Sequence, residues 1–289
     1  AQLLAQLAIV CARAGMPRDG LDAVKEALRL TQAHSLVREQ AEALNAASMC
    51  HYFRGDHVMA IASGLDAYQG FSRSDDLVRM GHALTTIAAS CKEIDAVDLS
   101  IEALHGCLNI ANRAGDAFLE ARSRNTLGIV MGEVGRFDEA EQHLSAAQRC
   151  LETADSPSYL PKVIANFGSL FKKRAEAAVA AGDCEGARRF LRRAVQMLEE
   201  GLAKDGDANF FEKADKYIAL AEYYFLLGDY ASARAKVGEA LGLGKKLKHS
   251  QIVIESYLYL GRILLALGDR IDAESNFKLV LELSRAAEL

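Results

Sequence analysis

Residues 221–240 read AEYYFLLGDYASARAKVGEA and contain four small residues at fixed distances. Ala221 is followed by Gly228 seven residues later, by Ala233 after five more, and by Ala240 after another seven. Glycine readily adopts the left-handed backbone conformation that ends a helix, and the aspartate after it suits the start of the next helix. The two later alanines share one side of that helix, where a neighbouring helix can approach closely. The stretch therefore predicts two helices joined by a tight turn.

The same pattern recurs along the whole chain, with a predicted turn at six glycines and at one cysteine. Of the fourteen positions that lie five and twelve residues after a turn, thirteen are Gly or Ala. This repetition predicts seven helix pairs. The predicted turns are Gly15, Gly55, Cys91, Gly135, Gly182, Gly228 and Gly268, followed by Gly20, Ala60, Ala96, Ala140, Ala187, Ala233 and Ala273, and then by Ala27, Ala67, Ala103, Ala147, Ala194, Ala240 and Val280.

A third small residue lies seven positions before most of the predicted turns. In the third helix pair this position is Leu84, so we expect that pair to pack more loosely than the others. The other six residues are Ala8, Ser48, Gly128, Ala175, Ala221 and Gly261.

This spacing, with the dipeptides Leu127-Gly128 and Leu260-Gly261, resembles the tetratricopeptide repeat (TPR) family. The resemblance covers the whole chain and implies an all-α fold, a right-handed α-solenoid of about seven helix pairs. The predicted turns lie 36 to 47 residues apart, whereas the family repeat has about 34 residues, so we expect longer helices. The proline that often closes a family repeat is absent. This long form is similar to the TPR regions of bacterial signalling proteins, notably those ahead of GGDEF diguanylate cyclase domains and those of peptide-sensing regulators.

We expect a single solenoid over residues 1–289. A stiff connector at 154–161, which contains Pro157 and Pro161, is a candidate boundary inside it. The first helix of the fifth pair is expected to be longer, because Asn166 precedes its turn glycine by 16 residues whereas Asn45 precedes its own by 10. The predicted helix pairs are about 1–33, 35–71, 75–113, 116–153, 158–204, 207–247 and 250–287.

Composition excludes several classes of protein. Hydrophobic residues make up 51% of the 289 residues and only 3 are proline, which disfavours disordered and proline-rich chains. The net charge of −5 disfavours general nucleic-acid binding. No run of 18 apolar residues is present, so no membrane span is predicted. Six scattered cysteines without a CxxC pair favour reduced, mostly buried thiols in a cytoplasmic protein.

Sequences that look catalytic lack essential residues. The segment GLGKK at 242–246 lacks the first glycine and the Ser or Thr of a phosphate-binding loop. Asp205, Asp207 and Asn209 begin like a calcium loop, but the required later Gly and Glu are absent. The seven histidines form no HExxH motif. We therefore predict no enzyme, no metal and no cofactor within these residues.

The TPR resemblance implies a concave groove, lined by the first helix of each pair, that binds a partner. Asn45 and Asn125 are the most informative groove positions, because a side-chain amide can donate and accept hydrogen bonds along a peptide backbone. The alternative that these amides only link neighbouring repeats stays open. The predicted groove residues are Asn45, Tyr52, Arg122, Asn125, Asn166, Lys172, Glu222, Tyr259 and Arg262.

A second candidate surface is basic. It consists of Arg188, Arg189, Arg192 and Arg193, which share one face of the second helix in the fifth pair. The repeat pattern turns this face outward. A solvated surface is the simplest interpretation, and contact with an anionic partner or a second copy is the alternative.

The predicted function is a non-catalytic module that binds a protein or peptide segment in its groove. The bound state would reach an output domain outside this sequence, which we take to be an excerpt of a longer bacterial protein, through a change in superhelical pitch. One alternative is the regulatory region of a diguanylate cyclase, and another is a static scaffold for dimerisation or assembly. The last helix pair has no polar closing helix, which predicts self-association, as in a homodimer, through a terminal repeat.

Overall fold

A computed structural model describes residues 1–154, 159–204 and 210–286, apart from the side chains of 211 and 212. Within these ranges it contains fourteen α-helices and no strand, which confirms the prediction of an all-α solenoid with seven helix pairs. The helices are α1 Gln2–Arg13, α2 Pro17–Ala33, α3 Val37–Phe53, α4 His57–Arg73, α5 Leu77–Glu93, α6 Val97–Ala114, α7 Ala117–Glu133, α8 Phe137–Thr153, α9 Leu160–Ala180, α10 Cys184–Lys204, α11 Phe210–Leu227, α12 Tyr230–Leu247, α13 Ser250–Ala266 and α14 Arg270–Ala286.

The chain divides into two compact units, Ala1–Ser156 and Pro157–Leu289. The first unit contains α1 to α8, and the second contains α9 to α14. In the first unit α1 packs on α3, α3 on α5 and α5 on α7, and in the second unit α11 packs on α13. The first helices of successive pairs therefore lie side by side within each unit. Residues 155–158, which are half of the connector predicted at 154–161, lie outside the described residues, as do the calcium-loop candidates at 205–209.

The first unit has a regular period of forty residues. A residue with a left-handed backbone follows nearly every helix, and six of its eight helices have 17 residues. Helix and turn together therefore take twenty residues, and a helix pair takes forty. The left-handed residues of this unit are Gly15, Ser35, Gly55, Asp75, Asp95, Gly115 and Gly135.

The third turn lies at Asp95, so its predicted position at Cys91 was wrong by four residues. Asp95 has φ 58°, whereas Cys91 is buried inside α5 and Ala96 precedes the first residue of α6. Aspartate is one of the few residues other than glycine that tolerates the left-handed region. A search that required glycine therefore could not find this turn.

The corrected register also restores the small residues of the third pair. Ala88, Ser100 and Cys107 occupy the three equivalent positions, and all three are fully buried. Ser100 Oγ donates a hydrogen bond to the carbonyl oxygen of Ala88 across the helix pair, at 2.8 Å. Leu84 therefore breaks no pattern, and the looser packing predicted from it was wrong.

Close helix contact explains why these positions are small. A Cβ atom on Gly20 would lie 2.8 Å from the carbonyl oxygen of Ala8, which belongs to the other helix of its pair. A Cβ atom on Gly128 would lie 2.6 Å from Leu144 and 3.1 Å from the carbonyl oxygen of Ala140. All three distances are too short for unperturbed packing. Backbone contact between paired helices therefore determines the repeat pattern.

Replacing Gly135 by Ala is expected to lower the free energy of unfolding by about 1 kcal/mol, because φ is 78° there and a Cβ disfavours that conformation. Nothing lies within 4 Å of the added methyl group, so backbone strain is the whole effect. Gly242→Ala is the matched control, since Gly242 lies in α12 and is equally open to solvent. In this control the free energy of unfolding should rise by about 0.5–1 kcal/mol. Urea denaturation measures both, and a stabilised Gly135→Ala variant would contradict the turn assignment.

Candidate functional site

The first helices of the first unit border a cavity of about 300 Å³. α1, α3, α5 and α7 all contribute side chains, as the predicted groove requires. Its size is at the lower end of the range for ligand-binding pockets. The charged and strongly polar lining residues include Arg13, Glu42, Asn45, Arg79, His82 and Arg122.

Asn45 presents a hydrogen-bond acceptor that no residue described by the structure uses. Its Oδ1 atom is buried, and no group in the described part of the chain donates to it. Asn45 lies on α3 and lines the cavity. A buried acceptor without a donor costs about 1–3 kcal/mol. Asn45 as a whole is half-buried, so a change of its side-chain rotamer on binding could present this acceptor to an N–H group of a ligand.

Arg122 and His82 form a polar pair at the same cavity. Arg122 Nη1 donates to His82 Nδ1 at 3.2 Å, and this contact joins α7 to α5. Burial and the guanidinium of Arg122 lower the pKa of His82 from its ordinary value of 6.5. The imidazole is therefore neutral at pH 7, with Nδ1 as acceptor and the proton assigned to Nε2.

The cavity has more basic than acidic groups. Arg79 contacts Glu42 at 3.1 Å and Asp76 at 2.6 Å, so its charge is compensated. Arg13 forms no ion pair with any residue that the structure describes. With Arg122, the lining holds three arginines and a single carboxylate, that of Glu42. This balance favours a ligand with an acceptor or negatively charged group.

The structure separates the other two groove candidates of the first unit from this cavity. Asn125 is only 2% exposed and has an interaction partner within the chain. Tyr52 is half-buried near the end of α3, where its ring stands at an angle to those of Phe53 and His57, and burial raises its pKa. Asn45 and Arg122 are therefore the two predicted residues that line the cavity.

Four of the five groove candidates in the second unit contact one another. Lys172 Nζ lies 2.9 Å from Glu222 Oε1. Burial, followed by the carboxylate of Glu222, raises the pKa of Tyr259 to about 12. The guanidinium of Arg262 lies 5.1 Å from the centre of the Tyr259 ring and 4.9 Å from that of Phe225. These contacts connect α9, α11 and α13, so the four side chains bridge successive repeats.

Asn166 does not belong to this cluster. It lies six residues before Lys172 on α9, a rotation of about 600° around the helix at 100° per residue, so the two side chains point in different directions. Asn166 is half-buried and has an interaction partner within the chain. α9 has 21 residues, so the longer helix expected from its position is present.

The basic surface of α10 faces solvent. Arg193 stacks on Phe171 with 4.7 Å between the guanidinium carbon and the ring centre, and Arg189 lies 5.5 Å from the Phe190 ring. Leu191 and Ala194, on the other side of the helix, are buried. All four arginines of the surface, Arg188, Arg189, Arg192 and Arg193, are exposed.

Glu42 and His82 were not among the predicted groove residues, although the forty-residue period identifies both positions. Gln2, Glu42, His82 and Arg122 are forty residues apart and each lies thirteen residues before its turn. All four line the cavity. With the third turn placed at Cys91, His82 fell out of this series. The spacing itself was therefore the signal that could have found it.

No cluster of three or more His, Cys, Asp or Glu side chains suitable for a metal ion occurs in the described residues. None of the described helices is long and apolar enough to cross a membrane. The six cysteines are free thiols: Cys50, Cys91 and Cys107 are buried, Cys11 and Cys150 are half-buried, and Cys184 is exposed.

The profile of the tetratricopeptide repeat family matches residues 121–146 and 217–235, which lie in α7–α8 and α11–α12. A comparison with curated proteins gives no match.

Solved structures share the fold over nearly the whole chain. The apo form of RapI has a TM-score of 0.64 at 16% identity, covering 99% of this chain and 98% of that chain. The apo form of the quorum sensor NprR from B. thuringiensis has a TM-score of 0.65 at 16% identity, covering 97% of this chain and 75% of that chain. Aspartyl phosphate phosphatase F from Bacillus subtilis has a TM-score of 0.61 at 12% identity, covering 96% of this chain and 68% of that chain. The chain therefore shares its fold with these solved structures, and α7–α8 and α11–α12 contain sequences that match the tetratricopeptide repeat profile.

Proposed function

We propose that the cavity of the first unit binds an extended segment of a peptide or protein, and that the chain is a non-catalytic binding module. The unused acceptor of Asn45 inside a cavity bordered by four first helices carries this proposal. A peptide backbone supplies an N–H donor for Asn45, and its carbonyl groups accept from Arg122 and Arg13. The fold shared with NprR, a quorum sensor, supports a sensing role.

The second unit is the weaker candidate for ligand binding. Lys172 and Glu222 already form an ion pair, and Arg262 already stacks on two rings. A ligand would have to replace these contacts before gaining its own. We propose that these side chains hold α9, α11 and α13 in place. They would thus link neighbouring repeats, which is the role considered above as the alternative for the groove asparagines.

The proposal includes regulation of an output domain, of which a GGDEF diguanylate cyclase domain is one candidate. The resemblance of the sequence to the TPR regions of bacterial signalling proteins supports it. Contacts between neighbouring repeats would transmit ligand binding along a unit, because a shift of one helix pair displaces the next.

Self-association is a second proposed activity, supported by exposed apolar side chains. Ile271 of α14 is 80% exposed and Leu281 is 57% exposed, while Leu3 of α1 is 80% exposed. We propose that a second copy of the chain covers one of these apolar faces. The arginines of α10 are a separate candidate surface, for contact with an anionic partner. Sedimentation equilibrium at tens of micromolar should detect a dimer that Ile271→Asp weakens. A strict monomer in the wild type would contradict this activity.

Replacing Asn45 by Ala should weaken peptide binding about tenfold or more, because a ligand N–H loses its acceptor. The probe is a pool of hexapeptides of mixed uncharged sequence with acetylated and amidated ends. Binding is followed by NMR of isotope-labelled protein, and the shifted signals should include those of Asn45 and His82. Asn166→Ala is the control, because Asn166 belongs to the other unit. Unchanged binding by a well-folded Asn45→Ala variant would contradict the assignment of the site.

A further inference from the structure

We propose that the cavity of the first unit takes up a proton from solvent together with an anionic ligand group, and that His82 gains this proton. The inference rests on the proposed peptide binding and adds to it a ligand charge and a dependence on pH. It concerns the same cavity and the contact between α5 and α7 described above.

The contact between His82 and Arg122 exists only while the imidazole is neutral. Arginine can only donate hydrogen bonds, so His82 Nδ1 must accept in the 3.2 Å contact with Arg122 Nη1. Protonation turns both ring nitrogens into donors and places two positive charges next to each other. The free cavity therefore resists protonation of His82.

The charges around His82 come from several helices. Arg79 is compensated by Glu42 and Asp76, so Arg122 is the main positive charge acting on the imidazole. Burial and Arg122 lower the pKa of His82, whereas the carboxylates of Asp116 and Asp76 raise it. The charged residues that act on His82 or line the same cavity are Asp76 and Arg79 of the α5 end, Asp116 and Arg122 of the α7 end, Glu42 of α3 and Arg13 of α1.

An anionic ligand group reverses this balance. A carboxylate that accepts from Arg122 neutralises the charge that opposes protonation, and it can also accept a hydrogen bond from the imidazolium. Ligand binding then raises the affinity of His82 for a proton, and by reciprocity a lower pH strengthens ligand binding. A neutral ligand gains nothing from the proton. The cavity would thus prefer anionic ligands to neutral ones, and this preference would increase as the pH falls.

The test compares two hexapeptide pools with acetylated and amidated ends. One pool carries a single Asp among uncharged residues, and the other carries Asn at the same position. NMR titration of the His82 ring signals measures both binding and protonation. We expect the Asp pool to bind about three- to tenfold more tightly at pH 5.5 than at pH 7.5, since a rise of one pKa unit on binding gives at most a factor of ten between pH values far below and far above both pKa values. The Asn pool should bind equally at both pH values.

Two variants separate His82 from other titrating groups. His82→Gln keeps a hydrogen-bonding side chain but cannot become charged, so its binding of the Asp pool should lose the pH dependence. His143→Gln changes another half-buried histidine of the same unit, outside the cavity, and should keep the pH dependence.

The outcomes distinguish this inference from the proposed function. Equal binding of the Asp pool at both pH values, or a pH dependence that persists in His82→Gln, overturns the inference and leaves peptide binding intact. If neither pool binds at either pH, peptide binding by the cavity is contradicted, and the inference fails with it.

Discussion

Replacing Ala140 by Leu is expected to lower the free energy of unfolding by about 1–3 kcal/mol or more. Ala140 is fully buried on α8, and its carbonyl oxygen lies 3.1 Å from the position of a Cβ on Gly128 of α7. The larger side chain has no space between these two helices. Pushing them apart would also disturb the helices packed on α7. Denaturation with urea, followed by circular dichroism, measures the effect.

Gln142→Leu is the matched control for this variant. Gln142 lies two residues further along α8, is exposed, and receives the same new side chain. A surface change of this kind should alter the free energy of unfolding by no more than about 0.5 kcal/mol. Equal midpoints for the two variants would show that Ala140 does not lie at the contact between α7 and α8.

Replacing Asn125 by Ala should lower the free energy of unfolding by about 1–3 kcal/mol, because a buried polar group inside the protein would lose its partner. Asn125 is 2% exposed and has an interaction partner within the chain. Asn45→Ala should not lower the free energy of unfolding and should raise it by up to about 1–3 kcal/mol, since it removes a buried acceptor to which no described residue donates. These two asparagines each lie ten residues before a turn glycine, so they form a matched pair.

Thermal melts of the two single variants test this difference. Equal losses of stability would mean that Asn45 also holds helices together, and its role as an open acceptor for a ligand would be lost. A stable Asn125→Ala variant would instead show that the buried amide contributes little to the first unit.

Much of the fold could be predicted because helix contact restricts residue size at regular positions. Small residues at Ala140 and Ala147, like those at Ala233 and Ala240, reveal a helix pair without any knowledge of its neighbours. Turn placement was less certain, because the left-handed residue is not always glycine. Asp95 provides the same backbone conformation with a different side chain. The sequence alone does not distinguish this aspartate from the many that begin helices.

The site was predicted in part. Position in the repeat placed Asn45 and Arg122 on the first helices of their pairs, and both side chains line the same cavity. Position could not show that Asn125 is buried, since this depends on the side chains that surround it in the folded chain. In the second unit, the contacts of Glu222 with Lys172 and Tyr259 depend on distances between helices that are far apart in sequence.

The constant period of the first unit makes its forty-residue segments interchangeable building blocks. A segment of that length corresponds to two helices and two turns wherever it begins. If such a segment is deleted or duplicated, each remaining helix still packs against a helix of the same length and position in the repeat. Gene duplication could therefore lengthen this unit in whole steps without creating a new kind of junction. In the second unit α9 and α10 have 21 residues and α13 and α14 have 17, so exchanged segments would not match there.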